Sequence, residues 1–301
     1  MDLRQLNALV AVADHGGFSA AADALHTVQS NISAHVARLE QELGATLFNR
    51  GAGRLTEEGE TVVARARRIA VELDDLVADV GAFRHDIRGS TRVGVIGTTA
   101  RWLVPRLLEV MRDRHPGIHL VVLDATSTSL GPQISSGSLD VAVVNLPVPD
   151  RDLTSEPLFE EDLMLVVPAG HPLAGRDTVD LGDLDGLPLL LPPPGTALRG
   201  EIETPARAAG VTLTPLAEID GVRLIATLAS EGLGPAILPA TGLMARAPGG
   251  WRRLTVRGLP RRRVGIAQRR RSLLGAPARA AVDAVREITA KATDIEHLYP
   301  A

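Results

Sequence analysis

Gln29, Ser30, Asn31, Ser33, His35 and Arg38 bring two amides, two hydroxyls, an imidazole and a guanidinium into one ten-residue stretch. An amide side chain can pair with both edge atoms of adenine, and a hydroxyl can donate or accept. A guanidinium suits a phosphate, which fixes position without reading sequence. Periodicity shows how these groups could be displayed. At 100° per residue, Val28, Ile32, Val36, Leu39 and Leu43 share an arc of about 80°, which predicts a helix buried along that arc. Ser30, Ser33, Ala34, Ala37 and Gln41 lie opposite, flanked by Gln29, Asn31 and Arg38. His35, about 60° from the centre of the buried arc, can be read either as facing bases or as packed.

The elements before and after must place that face. Residues 18–25 are Ala-rich and predict a short helix capped by Ser19 and ended by His26, with Thr27 then opening the next helix at Val28. Two short helices joined by a tight turn form a helix-turn-helix, whose second helix enters a DNA major groove. Periodicity alone is equally compatible with an ordinary surface helix of a small bundle. Asp2 should cap a first helix packed through Leu3, Leu6, Leu9, Val10 and Ala13 and stopped by Gly16-Gly17. After the Gly44 stop, residues 49–55 read as a two-stranded wing with Arg50 and Arg54 on its two sides, suited to the minor groove or the backbone.

Thr56 should cap a long helix, with Glu57, Glu58 and Glu60 complementing its N-terminal dipole. Val62, Ala66, Ile69, Leu73, Leu76, Val80, Phe83 and Ile87 then alternate spacings of four and three, a heptad seam. A helix over 57–87 would be about 46 Å long. Nothing nearby in sequence could bury so long a stripe, so a second copy of the chain is expected against it. Gly89-Ser90 should end the helix at a hinge.

From residue 91 strands and helices alternate, implying doubly wound α/β layers. Strands are expected at 92–96, 119–124, 141–144, 163–167, 187–191, 212–214, 236–238 and 263–267. Helices are expected at 101–114, 129–136, from about 196, at 222–230 and at 277–292. Ligands in such folds sit at the carboxyl ends of strands against helix N-termini. The turns holding Thr98, Thr99, Thr126, Ser127, Thr128 and Ser129 are placed to receive a small anion, although ordinary turn chemistry explains any one of them.

Composition narrows the function classes. The 301 residues contain no cysteine, which excludes disulfides, thiolate metal sites and cysteine nucleophiles. The eight histidines form no HExxH pair, so neither a metal nor a cofactor is expected, and Gly94-Val95-Ile96-Gly97 lacks the third glycine of a dinucleotide fingerprint. No nucleophile–base pair is evident, so an enzyme is not expected. No signal peptide or membrane span is evident, and a cytoplasmic protein without membrane attachment is expected. The net charge is −4, and residues 1–88 hold nine Arg against thirteen Asp and Glu, so any positive field must be local. The clusters Arg252-Arg253, Arg261-Arg262-Arg263 and Arg269-Arg270-Arg271 read as solvated turns or inter-subunit ion pairs.

Phe18-Ser19-Ala20-Ala21-Ala22, Leu25, Gln29-Ser30, Ile32-Ser33, Leu39-Glu40, Glu42-Leu43-Gly44, Leu47-Phe48, Arg50 and Leu55-Thr56-Glu57-Glu58-Gly59 resemble the signature of LysR-type transcriptional regulators. The resemblance is specific through about residue 60 and looser to about residue 290, including residues 231–239. It implies a winged helix-turn-helix over 1–56, a dimerising linker helix over 57–89 and a two-lobed effector domain resembling periplasmic binding proteins. Lobe I would comprise 90–166 and 268–301, and lobe II 167–267. It further implies dimers assembled into tetramers, double-stranded DNA as partner with RNA polymerase a further candidate, and a small-molecule inducer between the lobes. Gly195 and Thr196 would then face the hydroxyl-rich turns across the cleft. Three positions depart from the family pattern. Ala34 stands where Arg is frequent and His35 where Gln is frequent. Asn145 stands where relatives responding to aromatic acids can have a basic residue. The rival reading is a small-molecule-binding or metabolic α/β protein whose DNA-binding region is vestigial.

Overall fold

Asp2 opens the first helix as its position predicts. Its carboxylate accepts the Gln5 N–H at 2.9 Å while the Gln5 amide oxygen accepts the Asp2 N–H at 2.8 Å, a reciprocal cap. In this computed structural model, which describes residues 1–83, 87–242, 250–270 and 273–301, α1 (Leu3–His15) is followed by α2 (Phe18–Ala24) and α3 (Gln29–Leu43). Two capping expectations fail. The Gly16-Gly17 stop feeds the chain into α2 early, so Gly17 is the cap and Ser19 lies exposed inside the helix. His26 adopts a left-handed φ of 51°, Val28 becomes the cap of α3, and the Thr27 hydroxyl instead accepts the Asn31 amide at 3.1 Å.

Leu6, Leu9, Val12, Ala21, Ile32, Val36, Leu39, Leu47 and Phe48 form the core of this N-terminal unit. Val28 and Leu43, expected in the buried arc, are exposed at the two ends of α3, the first as its cap and the second as its last residue. The wing forms from β1 (Phe48–Asn49) and β2 (Arg54–Leu55), with Phe48 opposite Leu55 and Asn49 opposite Arg54. Glu40 anchors it to α3, its carboxylate accepting the Leu47 and Phe48 N–H groups at 2.8 and 3.2 Å.

Thr56 caps α4 (Glu57–Ala82), accepting the Gly59 N–H at 3.0 Å. At 26 residues α4 is shorter than the 57–87 expected. Phe83 is its C-cap, and Ile87 lies outside the helix, half-buried against lobe I, so it leaves the seam. Ala66 packs into the N-terminal core, whereas Ile69, Leu73, Leu76, Val80 and Phe83 are exposed along one stripe. Ala78 on the opposite side is buried.

Two sheets follow. Lobe I contains β3 (Gly89–Ile96), α5 (Gly97–Arg114), β4 (Ile118–Ala125), α6 (Ser127–Ser136), β5 (Val141–Asn145) and β6 (Leu153–Glu161). Lobe II contains β7 (Leu163–Pro168), β8 (Thr178–Asp180), β9 (Pro188–Leu191), α7 (Ala197–Ala208), β10 (Thr214–Glu218), α8 (Val222–Ser230), β11 (Ala236–Pro239) and β12 (Trp251–Arg257). The chain then returns to lobe I with β13 (Arg262–Arg269), α9 (Ala276–Ala290) and β14 (Leu298–Pro300). The strand orders are β14-β6-β13-β5-β3-β4 and β10-β9-β11-β7-β12-β8. Both sheets are mixed: β3 pairs parallel with β4 and β5, while β13 pairs antiparallel with β5 and β6.

This topology moves the expected lobe boundaries. Crossings near Val167 and Ala267 would put β7 in lobe I and β13 in lobe II, but each belongs to the other sheet. The crossings fall at Asp162 and between Arg257 and Arg262. β6 was not expected, because its polar alternation, Thr154, Glu156, Glu160, hides a strand buried at Leu153, Leu158 and Phe159. β8, β12 and β14 were likewise not foreseen, and Gly89-Ser90 begins β3 instead of ending a helix. Among the described residues no helix is long and apolar enough to cross a membrane.

A Cβ at Gly59 would lie 1.9 Å from the Leu47 carbonyl oxygen. Gly59→Ala should therefore lower stability by about 1–3 kcal/mol, by forcing α4 away from the wing. Gly200→Ala, in an exposed turn of α7 with open space around it, should instead gain about 0.5–1 kcal/mol. Thermal melts of the two variants should shift in opposite directions, and a common direction would refute the packing argument.

Candidate DNA-reading face and interlobe cleft

The α3 face is set by what its flanks already hold. Gln29, Ser30, Ala34 and Arg38 are exposed and Ser33 is half-buried. Asn31 is exposed but its amide is engaged by Thr27. His35 is half-buried towards the start of α1. The Asp2 carboxyl is held below its ordinary range first by the Gln5 N–H, with the charge of His35 contributing. Arg50 lies over the Phe18 ring at 4.5 Å, and Phe18 meets Phe48 edge-on at 5.2 Å, so the wing, α2 and the Arg50 guanidinium are fixed together. Arg54 is exposed on β2.

Between the lobes lies a cleft of about 500 Å³. The first turns of α5, α6, α7 and α8 all reach it, through Gly97 and Thr98, Ser127 to Ser129, Ala197 and Leu198, and Val222 and Arg223. The positive dipole ends of four helices thus converge on one space. Of the residues expected there, Thr98, Thr126, Ser127, Thr128, Ser129, Asn145, Gly195 and Thr196 line it. Thr99 does not: α5 begins directly after β3, so no Gly97-Thr98-Thr99 turn exists, and Thr99 is fully buried in the first helical turn. Thr126 caps α6, and its hydroxyl meets those of Thr128 and Ser129 at 2.9 and 3.0 Å. Ser127 ties α6 to the end of β5 by accepting the Asn145 N–H at 3.0 Å. The Thr196 hydroxyl is spent locally, donating to the Pro193 carbonyl at 2.9 Å.

The floor is made by a residue that sequence reasoning assigned to a solvated turn. Arg262 is almost fully buried. It donates to the Thr98 hydroxyl at 3.0 Å, to the Asn145 amide oxygen at 2.9 Å and to Glu161 at 3.2 Å. Glu161 is completely buried, and its other oxygen accepts the Thr241 N–H at 3.1 Å and hydroxyl at 2.7 Å. Glu201 of α7 approaches Arg262 at 4.0 Å; burial raises its pKa, against the pull of the guanidinium. One signal could have found Arg262: it alternates in phase with buried Val264 and Ile266 on the strand. Its neighbour Arg261 faces the other way, pairing with Asp162 at 3.2 Å and lying 3.6 Å over Tyr299. Arg269 is also buried, and Arg271 lies outside the described residues. At the cleft mouth Arg223 of lobe II pairs with Asp124 of lobe I, and Asp220 lies beside them; none of the three was foreseen.

A winged helix-turn-helix joined by a long helix to two lobes around a cleft defines a ligand-responsive DNA-binding regulator. Residues 3–60 match the bacterial regulatory helix-turn-helix of the lysR family, and residues 84–290 match the LysR substrate binding domain. The chain belongs to the LysR family of transcriptional regulators. It is 35% identical over 275 residues to a probable hydrogen peroxide-inducible genes activator of Streptomyces viridosporus, covering 89% of this chain and 88% of that one. A cysteine-to-aspartate variant of full-length OxyR from Pseudomonas aeruginosa superposes with a TM-score of 0.78 at 25% identity, covering 99% and 97% of the two chains. Full-length CbnR complexed with its target DNA gives a TM-score of 0.68 at 25% identity, covering 95% and 99%.

The Arg262–Glu161 pair supplies its own test. Glu161→Gln leaves a buried guanidinium with only the more distant Glu201 as counter-charge and should cost up to about 3–5 kcal/mol. Replacing both residues, Glu161→Leu with Arg262→Met, should recover most of that loss. Denaturant unfolding measures both; a double variant as unstable as the single would show that the charges are not coupled.

Proposed function

We propose that this regulator reads DNA with the N-terminal half of α3 and responds to a small molecule carrying an anionic group, held in the interlobe cleft. The observation that carries the effector half is the convergence of four helix N-termini and a buried guanidinium on one cleft. Gln29, Ser30 and Ser33 are the candidate base-edge contacts, with Asn31 reaching DNA only if Thr27 releases it. Arg38, Arg50 and Arg54 serve phosphates, and Ser19 supports a backbone contact at the start of α2. His35 positions α3 against α1. Two copies join through Val62, Ile69, Leu73, Leu76, Val80 and Phe83, which aligns two reading helices with paired half-sites, and dimers can associate further into tetramers. The protein acts in the cytoplasm and catalyses no reaction.

The relatives are named for a response to hydrogen peroxide. Peroxide signalling through a protein thiol requires a cysteine thiolate to oxidise, and this chain has no cysteine. Its four methionines offer a slower chemistry, and Met111 and Met164 are buried in the lobe cores. The cleft, not a thiol, is therefore the input.

DNA recognition is testable by footprinting on the chain's own promoter region and by titration. Gln29→Ala should lower discrimination between specific and random duplexes, by about 1–3 kcal/mol if it reads a base. Arg54→Ala should weaken both duplexes alike and reduce the salt slope by about 1. Equal binding of both duplexes by wild type and Gln29→Ala would overturn the reading.

For the effector, melting of the full chain should rise with one or more members of a panel of small carboxylates and amino acids, and Thr128→Val with Ser129→Ala should remove that rise. Hydrogen peroxide at thiol-oxidising doses should leave DNA binding unchanged. Loss of binding under those doses would restore an oxidative input.

A further inference from the structure

The start of α9 has no cap of its own. Gly275 occupies the cap position and has no side chain, yet its own N–H and that of Ala276 face a junction between helices. Both are met from α4. Asp79 accepts the Ala276 N–H at 2.8 Å and a guanidinium N–H of Arg279 at 2.9 Å, and Asp75 accepts the Gly275 N–H. The approach is so close that a Cβ on Gly275 would lie 1.9 Å from an Asp75 carboxylate oxygen. The φ of Gly275 is −64°, so glycine is required here for space and not for backbone freedom. We propose that Asp75 and Asp79 form a detachable latch, by which the linker helix of the DNA-binding half caps α9 of its own effector lobe, and that mild acid tightens it.

Three features make the latch separable and titratable. A cavity of about 250 Å³, lined by Ala82, Ile87, Ala276, Arg279 and Ala280 among others, flanks it, so little apolar packing backs the polar contact. The Asp79–Arg279 pair is half-exposed, which limits its worth to that of a surface salt bridge. The charges around Asp75 are crowded and mostly of its own sign. Glu72 and Asp79 lie on α4 and Asp140 precedes β5, while Arg68 of α4, Arg269 of β13 and Arg279 of α9 oppose them. Burial and these carboxylates raise the Asp75 pKa to about 6.

The sign follows from proton linkage. A docked state that holds Asp75 at about 6, against an ordinary 3.8, binds more protons than the undocked state between those values. Glu72 and Asp79 stay beside Asp75 on α4 when the latch opens, so undocking relieves the burial and the Asp140 charge, and the docked-to-undocked ratio should rise by up to about tenfold from pH 7 to pH 5. A protonated Asp75 still offers its carbonyl oxygen to Gly275. Asp75→Asn should thus mimic the tightened state and remove the pH response, whereas Asp79→Ala should release the latch at every pH.

The absence of native cysteines makes the full chain suitable for spin labelling. Ala70→Cys on α4 and Lys291→Cys after α9 are exposed and outside the latch. Pulsed distance measurements on labelled chain, diluted with unlabelled chain, read latch occupancy directly. Wild type should show one short distance at pH 5.5 and gain a longer population at pH 8. Asp75→Asn should keep the short distance at both, and Asp79→Ala should show the longer one at both, with circular dichroism confirming a folded lobe. A pH response in Asp75→Asn equal to that of wild type, or an unchanged distribution in folded Asp79→Ala, would overturn the proposal. Should Asp79→Ala fail to fold, the Asp75→Asn comparison decides alone.

Discussion

The two crossings between the lobes lie side by side, and the antiparallel pairing of β6 with β13 is the constraint on which the effector half depends. Arg262 stands opposite Glu161 in that pairing. Strand alternation sends this pair inward to the cleft floor, and the next residues, Asp162 and Arg261, outward. There the Tyr299 hydroxyl donates to Asp162 at 2.9 Å, and His297 contacts the same carboxylate at 3.0 Å. One crossing point therefore carries a buried ion pair on its ligand side and an exposed, C-terminally clamped pair on its outer side. Buried at the cleft floor, the inner pair depends on Thr98, Asn145 and Thr241 to complete its hydrogen bonding. Those partners come from α5, β5 and the segment after β11, so the charge pair registers the relative positions of elements in both lobes.

The DNA-binding half solves a different problem, since its net charge is negative. Its acids are largely committed to structure. Asp2 and Glu40 receive backbone N–H groups, Glu42 receives the amino terminus and the Gln5 amide, and Asp14 pairs with Arg67 of α4. This leaves Arg38, Arg50 and Arg54 near the reading helix as a local positive field, with Arg50 held by an aromatic ring. In the proposed reading, so few cationic groups per subunit give weak non-specific attraction, and pairing two subunits supplies the affinity. In the proposals above, the exposed stripe of α4 meets a second copy, while Asp75 and Asp79 on its flank meet its own lobe.

Much of this was legible from local pattern. The helix-turn-helix, the wing, the Thr56 cap and the extent of α8 follow from periodicity and turn chemistry within a few residues, and the hydroxyl-rich helix starts were placed in the cleft by the rule that ligands meet strand ends. The misses share a cause. Ser19 and Thr27 lost their caps to shifts of two residues and one, governed by tight turns. β6 and Arg262 were misread because charged residues on a strand look solvated until the partner strand is known. Ile87 fits the heptad, but lobe I captures it.

The sequence by itself determined most of the elements, the amphipathic pattern of α3, the absence of thiol chemistry and the family to which the chain belongs, because each rests on residues close together in the chain. The tertiary structure alone decided where the lobes divide, which arginine forms the cleft floor and which carboxylates cap α9. These depend on partners 101 residues apart for Arg262 and Glu161 and 197 apart for Ala276 and Asp79. Burial and counter-charge are properties of such long-range pairings, and no local window of residue types contains them.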